Sequence, residues 1–238
     1  MKVALIGYGK MGKEIEQIAL ANQDEIVLRI SSKNISEIND LSRFAPDVCI
    51  EFSRPESAFE NIKCCLEHGI PVVSGTTAWL DKLDEAKALA KKHNTALFYA
   101  PNYSIGVNLF FAINKYAAKL LDNYSAYEPS IEEIHHKEKL DAPSGTAIKL
   151  AETMIGELAN KQDWELDQKS NNSKLLIRAK RETGVPGTHT SLFDSAEDEI
   201  SITHVAHSRK GFANGAYTAA KWIIGKEGYF EMKDILGI

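Results

Sequence analysis

The chain has 238 residues, enough for one large or two small domains with a sizeable buried core. Its 44% hydrophobic and 26% charged residues are those of a globular protein, and no apolar run approaches the roughly eighteen residues of a membrane span. A formal net charge of -5, without a long basic run, excludes the electrostatic footprint of a nucleic-acid binder, and an apolar strand starting at Lys2 leaves no room for a secretory leader, so a cytoplasmic protein is expected.

"KVALIGYGKMG", residues 2–12, is an apolar strand running into Gly7, Gly9 and Gly12, the G-x-G-x-x-G pattern of dinucleotide-binding turns. Met11, Ile15, Ile18 and Ala19 follow at helical spacing. Gly7 allows the tight turn, Gly9 the close approach of a pyrophosphate and Gly12 close helix-to-strand packing, while the helix N-terminus offers N–H groups to phosphate. Alternation continues through strands at 25–30, 46–53, 70–77 and 95–102 and helices at 55–69 and 80–93. Short loops between them require a parallel sheet covered on both faces, a Rossmann-type domain. "FSRP", "SGTT" and "APNYS" then fall at the carboxyl ends of strands, where a cofactor lies, although Thr76 or Thr77 would serve equally as a helix N-cap. Cys49, Cys64 and Cys65 lack metal-ligand spacing and are expected as reduced, buried thiols; no metal site is expected.

After Asn102 the pattern changes to α+β. A helix is expected over 106–121, a strand through 127–136, a helix from Ser144, and strands at 174–181, 189–193 and 199–208, with a loop-like polar insert around 160–173. The expected division is a dinucleotide-binding domain at 1–103, with 211–238 (including a helix-like 215–226) packing back on it. A second domain at 104–210 would carry a mixed sheet.

"EEIHHKEKLDAPSGTA", residues 132–147, concentrates proton-handling and anion-binding groups. Ala147, Leu150, Ala151, Met154, Ile155 and Leu158 form one apolar helix face beginning at "PSGT", with Ser144 as cap. The free N–H groups of Gly145 and Thr146, with the Ser144 and Thr146 hydroxyls, make an anion site that His136, Lys137 or Lys139 can reach. On a strand His135 and His136 face opposite ways, so one points inward.

These residues resemble the dihydrodipicolinate reductase family of lysine biosynthesis. The "E-x-HH-x-x-K-x-DAPSGTA" stretch is similar to that family's signature, supported by the glycine loop with "KMG", by "SGTT", "APNYSIGVNLF", "GTHT" and "SRKGFANGA". The resemblance implies reduction by NAD(P)H of a cyclic imine dicarboxylate. Hydride would add at C4 and a proton at C3, in a homotetramer acting on a small molecule and on neither nucleic acid nor membrane. It implies His135 as proton donor assisted by Lys139, with His136, Ser144, Gly145 and Thr146 on the substrate carboxylates. It implies cofactor contacts at Gly7, Gly9, Lys10, Met11, Gly12, Ser32, Lys33, Phe52, Gly75, Thr76, Thr77, Ala100, Asn102, Tyr103 and Phe212. The active site is expected between the domains, with hinges near Tyr103 and Arg209. The glycine loop is one residue shorter than in many members. The second strand ends in "RISSKN" without an acidic residue, so NADPH is expected to be preferred, read by Ser31, Ser32, Lys33 and Arg29, with NADH usable. The competing readings are another two-domain Rossmann dehydrogenase of amino or keto acids, and a non-catalytic NADPH-binding sensor.

Overall fold

A computed structural model describes residues 1–168, 171–208 and 210–238. In chain order these form β1 (Lys2–Ile6), α1 (Lys10–Ala21), β2 (Glu25–Ile30), a 3-10 turn (Ile35–Asp40), α2 (Leu41–Phe44), β3 (Val48–Glu51), α3 (Pro55–Glu67), β4 (Val72–Ser74), α4 (Leu83–Lys92) and β5 (Ala96–Tyr99). They continue through α5 (Ile105–Leu121), β6 (Glu128–His135), α6 (Gly145–Ile155), β7 (Asp163–Leu166), β8 (Lys174–Arg181), β9 (Thr188–Asp194) and β10 (Glu199–Val205). The chain closes with α7 (Lys210–Ile223), β11 (Gly228–Phe230) and α8 (Met232–Leu236). It divides into two compact units, Met1–Ile105 with Lys210–Ile238, and Gly106–Arg209.

The first unit is built on a six-stranded sheet in the order β11-β5-β4-β3-β1-β2, parallel throughout. Strands such as Ala96–Tyr99 are buried along their whole length, because helices cover both faces. On one side Ile15 and Ala19 of α1 and Ala216 and Ala220 of α7 pack on the sheet, and on the other Ile62 and Leu66 of α3 and Ala86 and Ala90 of α4. An apolar run hidden on both faces is the sequence mark of a parallel sheet.

The second unit carries a five-stranded mixed sheet, β10-β9-β6-β8-β7, in which β6, β8 and β7 run parallel and β9 is antiparallel to both β6 and β10. Ala147, Leu150, Ala151 and Met154 of α6 pack on Ile131, Leu175, Ile177 and Phe193 of the sheet. The α/β class expected from the sequence, a parallel sheet first and a mixed sheet second, is the one the chain forms.

Four details differ from the sequence reading. The insert around 160–173 is not all loop: Asp163–Leu166 is β7, paired with β8, and Trp164 packs against the core; Lys169 and Ser170 lie outside the described residues. α7 starts at Lys210, five residues before the segment read as helical, and is followed by β11, which pairs with β5, and by α8. Tyr103 itself is buried in the first unit's core with its hydroxyl donating to Ser74 O at 2.6 Å, the division between the units falling two residues on, after Ile105; Arg209, the other expected hinge, is outside the described residues. Of the cysteines, all free, Cys49 and Cys65 are buried but Cys64 is only partly so. Among the described residues no helix is long and apolar enough to cross a membrane.

Candidate active site

In the first unit β1 lies between β2 and β3, so the chain leaves β1 in one direction and later returns on the other side. That reversal opens a crevice at the carboxyl ends of the strands. A cavity of about 820 Å³ occupies it, lined among others by Gly7, Gly9, Ser31, Ser32, Phe52 and Ser53. Gly7 has φ +93°, and a Cβ there would overlap the Phe52 carbonyl. A Cβ on Gly12 would stand 2.5 Å from Gly7 O, whereas one on Gly9 meets nothing within 4 Å. Gly7 and Gly12 therefore let loop, helix and strand close together, and Gly9 keeps open space in front of the α1 N-terminus. That first turn holds no acidic residue, so the helix end is suited to an anion.

The remaining residues expected at a cofactor divide. Phe52 lines the cavity, its ring lying where a Gly75 Cβ would be. Lys10 and Thr77 are exposed, Phe212 and Asn102 half-buried, and Met11 packs partly on the core. Ala100 and Tyr103 are buried. Thr76 is not a helix cap: a 3-10 turn (Leu80–Lys82) preceded by Trp79 leads into α4, and the Thr76 hydroxyl donates to Glu51 at 2.9 Å. At the tip of β2, Ser32 lines the cavity but Lys33 does not. Ser31 is taken up by the turn, its N–H and hydroxyl both donating to Asn34 Oδ1. Arg29 is likewise unavailable, its Nε donating to Glu16 at 2.6 Å. Arg54, which the sequence reading passed over, is an exposed cation on the cavity wall.

In the second unit strand register assembles the chemistry. β6 alternates, so Ile131, Glu133 and His135 share the buried face while His136 turns out and meets Glu138 at 3.1 Å. Glu133 pairs with His189 on β9 and His135 with Arg181 on β8. His135 Nδ1 is 3.6 Å and His189 Nε2 3.7 Å from Glu133 Oε2, the two imidazoles meet edge to face, and buried His135 Nδ1 has no hydrogen-bond partner among the described residues. The first turn of α6 locks onto the same carboxylate, Ser144 N donating to both Glu133 oxygens at 3.1 Å. The Ser144 hydroxyl accepts from Ala147 N at 3.2 Å as an N-cap and meets His189 Nε2 at 3.1 Å. Gly145 N and Thr146 N find no acceptor among the described residues, leaving the helix end open to an anion.

Burial pushes the Glu133 carboxyl up, but the facing His189, the hydrogen bonds from Ser144 and the nearby His135 outweigh it and hold its pKa to about 2. Burial lowers His135 to about 4; Glu133 pulls it back up, while His189, Lys139 and Arg181 push it further down. His135 is therefore a neutral imidazole at pH 7 in the unliganded protein, not the near-neutral acid that histidine's ordinary pKa suggests. Lys139 Nζ is held by Asp141 at 2.7 and 2.8 Å, and Arg181, which reaches the Lys139 and Asp141 carbonyls at 3.3 and 2.6 Å, ties that loop to the sheet. A Cβ at Gly187 would stand 3.2 Å from His135 Nε2, so the glycine keeps that edge of the ring clear. Glu133, His135 and His189 present ligand atoms within 4.8 Å of one another, a donor set of transition-metal type. Ser144 N already engages both carboxylate oxygens and Arg181 one of them, which suits an acid–base pair better than a cation.

Glu133, Arg181, Gly187 and His189 had no assigned role in the sequence reading. The available signal was strand parity: a glutamate two residues before a histidine on an alternating strand shares its face.

Residues 1–103 match the family model described as dihydrodipicolinate reductase, N-terminus, and residues 106–236 the model described as dihydrodipicolinate reductase, C-terminus. The 4-hydroxy-tetrahydrodipicolinate reductase of Christiangramia forsetii is 47% identical over 236 residues, covering 99% of this chain and 98% of that protein. The protein of the same name from Archaeoglobus fulgidus is 35% identical, covering 99% and 100%. Among solved structures, a dipicolinate-bound dihydrodipicolinate reductase from Paenisporosarcina sp. TG-14 superposes with a TM-score of 0.81 at 24% identity, over 99% of each chain.

Proposed function

The chain belongs to the dihydrodipicolinate reductase family, and from that membership we propose that it reduces the cyclic imine dicarboxylate of lysine and diaminopimelate biosynthesis, working in the cytoplasm. A nicotinamide cofactor supplies a hydride to C4 of the ring. The observation that carries the reading is the meeting, on one buried strand face, of His135 with Glu133 beneath an open helix end.

Each residue has a definable task. Gly145 N, Thr146 N and the Thr146 hydroxyl hold one substrate carboxylate, with His136 beside them, and the Ser144 hydroxyl stays engaged as cap. Lys139 exchanges Asp141 for the substrate and stabilises negative charge passing toward the ring nitrogen. His135 delivers the proton to C3 from Nε2, the edge that Gly187 leaves clear, while Glu133 stabilises the imidazolium through Nδ1. A bound dianion raises the His135 pKa from its low resting value, because nearby negative charge favours the protonated ring. Substrate thereby charges its own acid.

The test is turnover of the condensation product of pyruvate and aspartate semialdehyde with each reduced cofactor, followed at the nicotinamide absorbance. His135→Gln and Lys139→Ala should each cost about a hundredfold in kcat with cofactor affinity nearly unchanged. Full activity of either variant removes that residue from the mechanism.

NADPH is the preferred cofactor in this reading, on a narrower basis than the sequence suggested. The β2 tip carries no acidic residue to repel a 2'-phosphate, and Ser32 and Arg54 line the cavity. With Ser32→Glu and Lys33→Ala together, kcat/KM should move toward NADH by about tenfold; an unchanged ratio refutes this. A homotetramer is supported by the exposed apolar stripe Leu109, Ile113, Tyr116 and Leu120 on α5 and by Ile200 and Val205 on edge strand β10. Light scattering at micromolar concentration decides it.

A further inference from the structure

The apolar strand β3 ends in a carboxylate. Val48, Cys49 and Ile50 are buried, and Glu51 after them is 0% exposed. Burying an ionisable carboxyl is costly unless donors surround it, and for stability alone a well-packed apolar residue does as well or better. Here the donors come from two loops. Ser53, on the loop after β3, reaches Glu51 Oε1 with its N–H at 3.0 Å and also with its hydroxyl. Ser74, the last residue of β4, donates to Oε2 at 2.7 Å, and Thr76 in the loop beyond donates to Oε1 at 2.9 Å. The Thr76 hydroxyl accepts in turn from Ser53 N at 2.9 Å, and Gly75 N donates to the Glu51 carbonyl at 3.0 Å.

The far side of this network is the cavity wall. Ser53, Ser57 and Asn61 all line it, with Asn61 Nδ2 donating to the Ser53 hydroxyl at 3.1 Å and Ser57 Oγ 3.2 Å from it. Phe52, between Glu51 and Ser53, packs where Gly75 lacks a Cβ and presents its carbonyl to Gly7. One acceptor thus fixes the loops after β3 and β4 and, through Phe52, abuts the glycine loop. Burial pushes the Glu51 carboxyl up and its hydroxyl and N–H donors pull it down; as a carboxylate it only accepts, so all three hydroxyls donate toward it, and of the three Ser53 lines the cavity.

We propose that Glu51 is a positioning residue that orders the loops after β3 and β4 for the dinucleotide, acting through Ser53, Ser74 and Thr76 without touching the cofactor. The proposal rests on the reductase reading only for the identity of the dinucleotide. Glu51→Gln keeps the shape but turns an amide N–H₂ toward a donor, so one loop loses its anchor. The dissociation constant for NADPH, measured by fluorescence transfer from the protein, should rise about tenfold, the effect of losing a buried hydrogen bond to a charged group. KM for the dicarboxylate at saturating cofactor should stay within about twofold of wild type. Ser74→Ala, which removes only the Oε2 donor, should weaken NADPH by a smaller factor of about three, and it decides the matter if Glu51→Gln does not fold. An NADPH affinity within twofold of wild type in the folded variants, whatever their melting temperature, overturns the proposal, as does an equal rise in both constants. Failure of the reductase reading would show differently, as wild-type protein that binds NADPH but turns over no imine.

Discussion

Replacing Glu133 by glutamine removes a full negative charge beside His135 while leaving an oxygen to accept from Ser144 N. The carboxylate stands 3.6 Å from His135 Nδ1. At an effective dielectric near 20, a pair of unit charges at that distance interacts by about 4 to 5 kcal/mol, an upper limit, and a neighbouring carboxylate shifts a titrating group by about one to three pKa units in practice. The protonated fraction of His135 at pH 7, already small with a pKa of about 4, should then fall by about ten- to a thousandfold, and kcat/KM with it. The assay is kcat/KM for the imine dicarboxylate from pH 5 to 9 at saturating reduced cofactor. Wild type should speed up as pH falls, and Glu133→Gln should show the same rise displaced to lower pH. Adding His135→Gln to Glu133→Gln should cost no more than His135→Gln alone, because the two act as one unit. A variant within about threefold of wild type at pH 7, or with a superimposable pH profile, refutes the imidazole–carboxylate coupling.

Acid stability follows from the same pair. His135 titrates near 4 when folded against 6.5 when free, so the unfolded chain binds more protons between these values. Stability falls as pH drops from 6.5 toward 4, by at most about 3 kcal/mol. Glu133, lowered from 4.5 to about 2, adds a loss below pH 4.5; a urea midpoint unchanged between pH 7 and 4 contradicts both. Gly12→Ala places a Cβ 2.5 Å from Gly7 O, so calorimetric titration should show NADPH binding weakened about tenfold or more, and wild-type affinity would mean the loop gives way freely. Phe193→Ala empties a fully buried site on β9 and should cost about 3 to 5 kcal/mol in urea unfolding; a loss under about 1 kcal/mol would show that the core collapses around it.

The glycine loop and the α6 cap were legible because each depends on local rules: a backbone without a Cβ, and a serine hydroxyl aimed at the turn above it. The interior of the site was not. That Glu133 meets His189 and His135 meets Arg181 is decided by strand register across 46 to 56 residues of chain, which no local pattern encodes. The same applies to Arg29, whose helix partner Glu16 could not be paired with it from spacing, and to β7, whose alternation of Trp164 and Leu166 is hidden in a polar stretch. Glu51 closes an apolar run in sequence, but its three hydroxyl partners, at the end of β4 and on the loops after β3 and β4, are brought to it only by the folded sheet.

The first unit is written in two pieces, with the whole second unit between them. A ribosome therefore releases residues 106–209 in full before it has made α7 or β11, so the inserted unit is complete while the sheet that encloses it in sequence still lacks an edge strand and one covering helix. Gly215 on α7 must reach the Tyr103 carbonyl, where a Cβ would overlap it. A nascent chain stalled near residue 209 would thus hold a finished second unit and a first unit in which α1 covers its sheet face without α7 beside it. Apolar surface exposed in that way is prone to aggregation until residues 210–238 emerge to cover it.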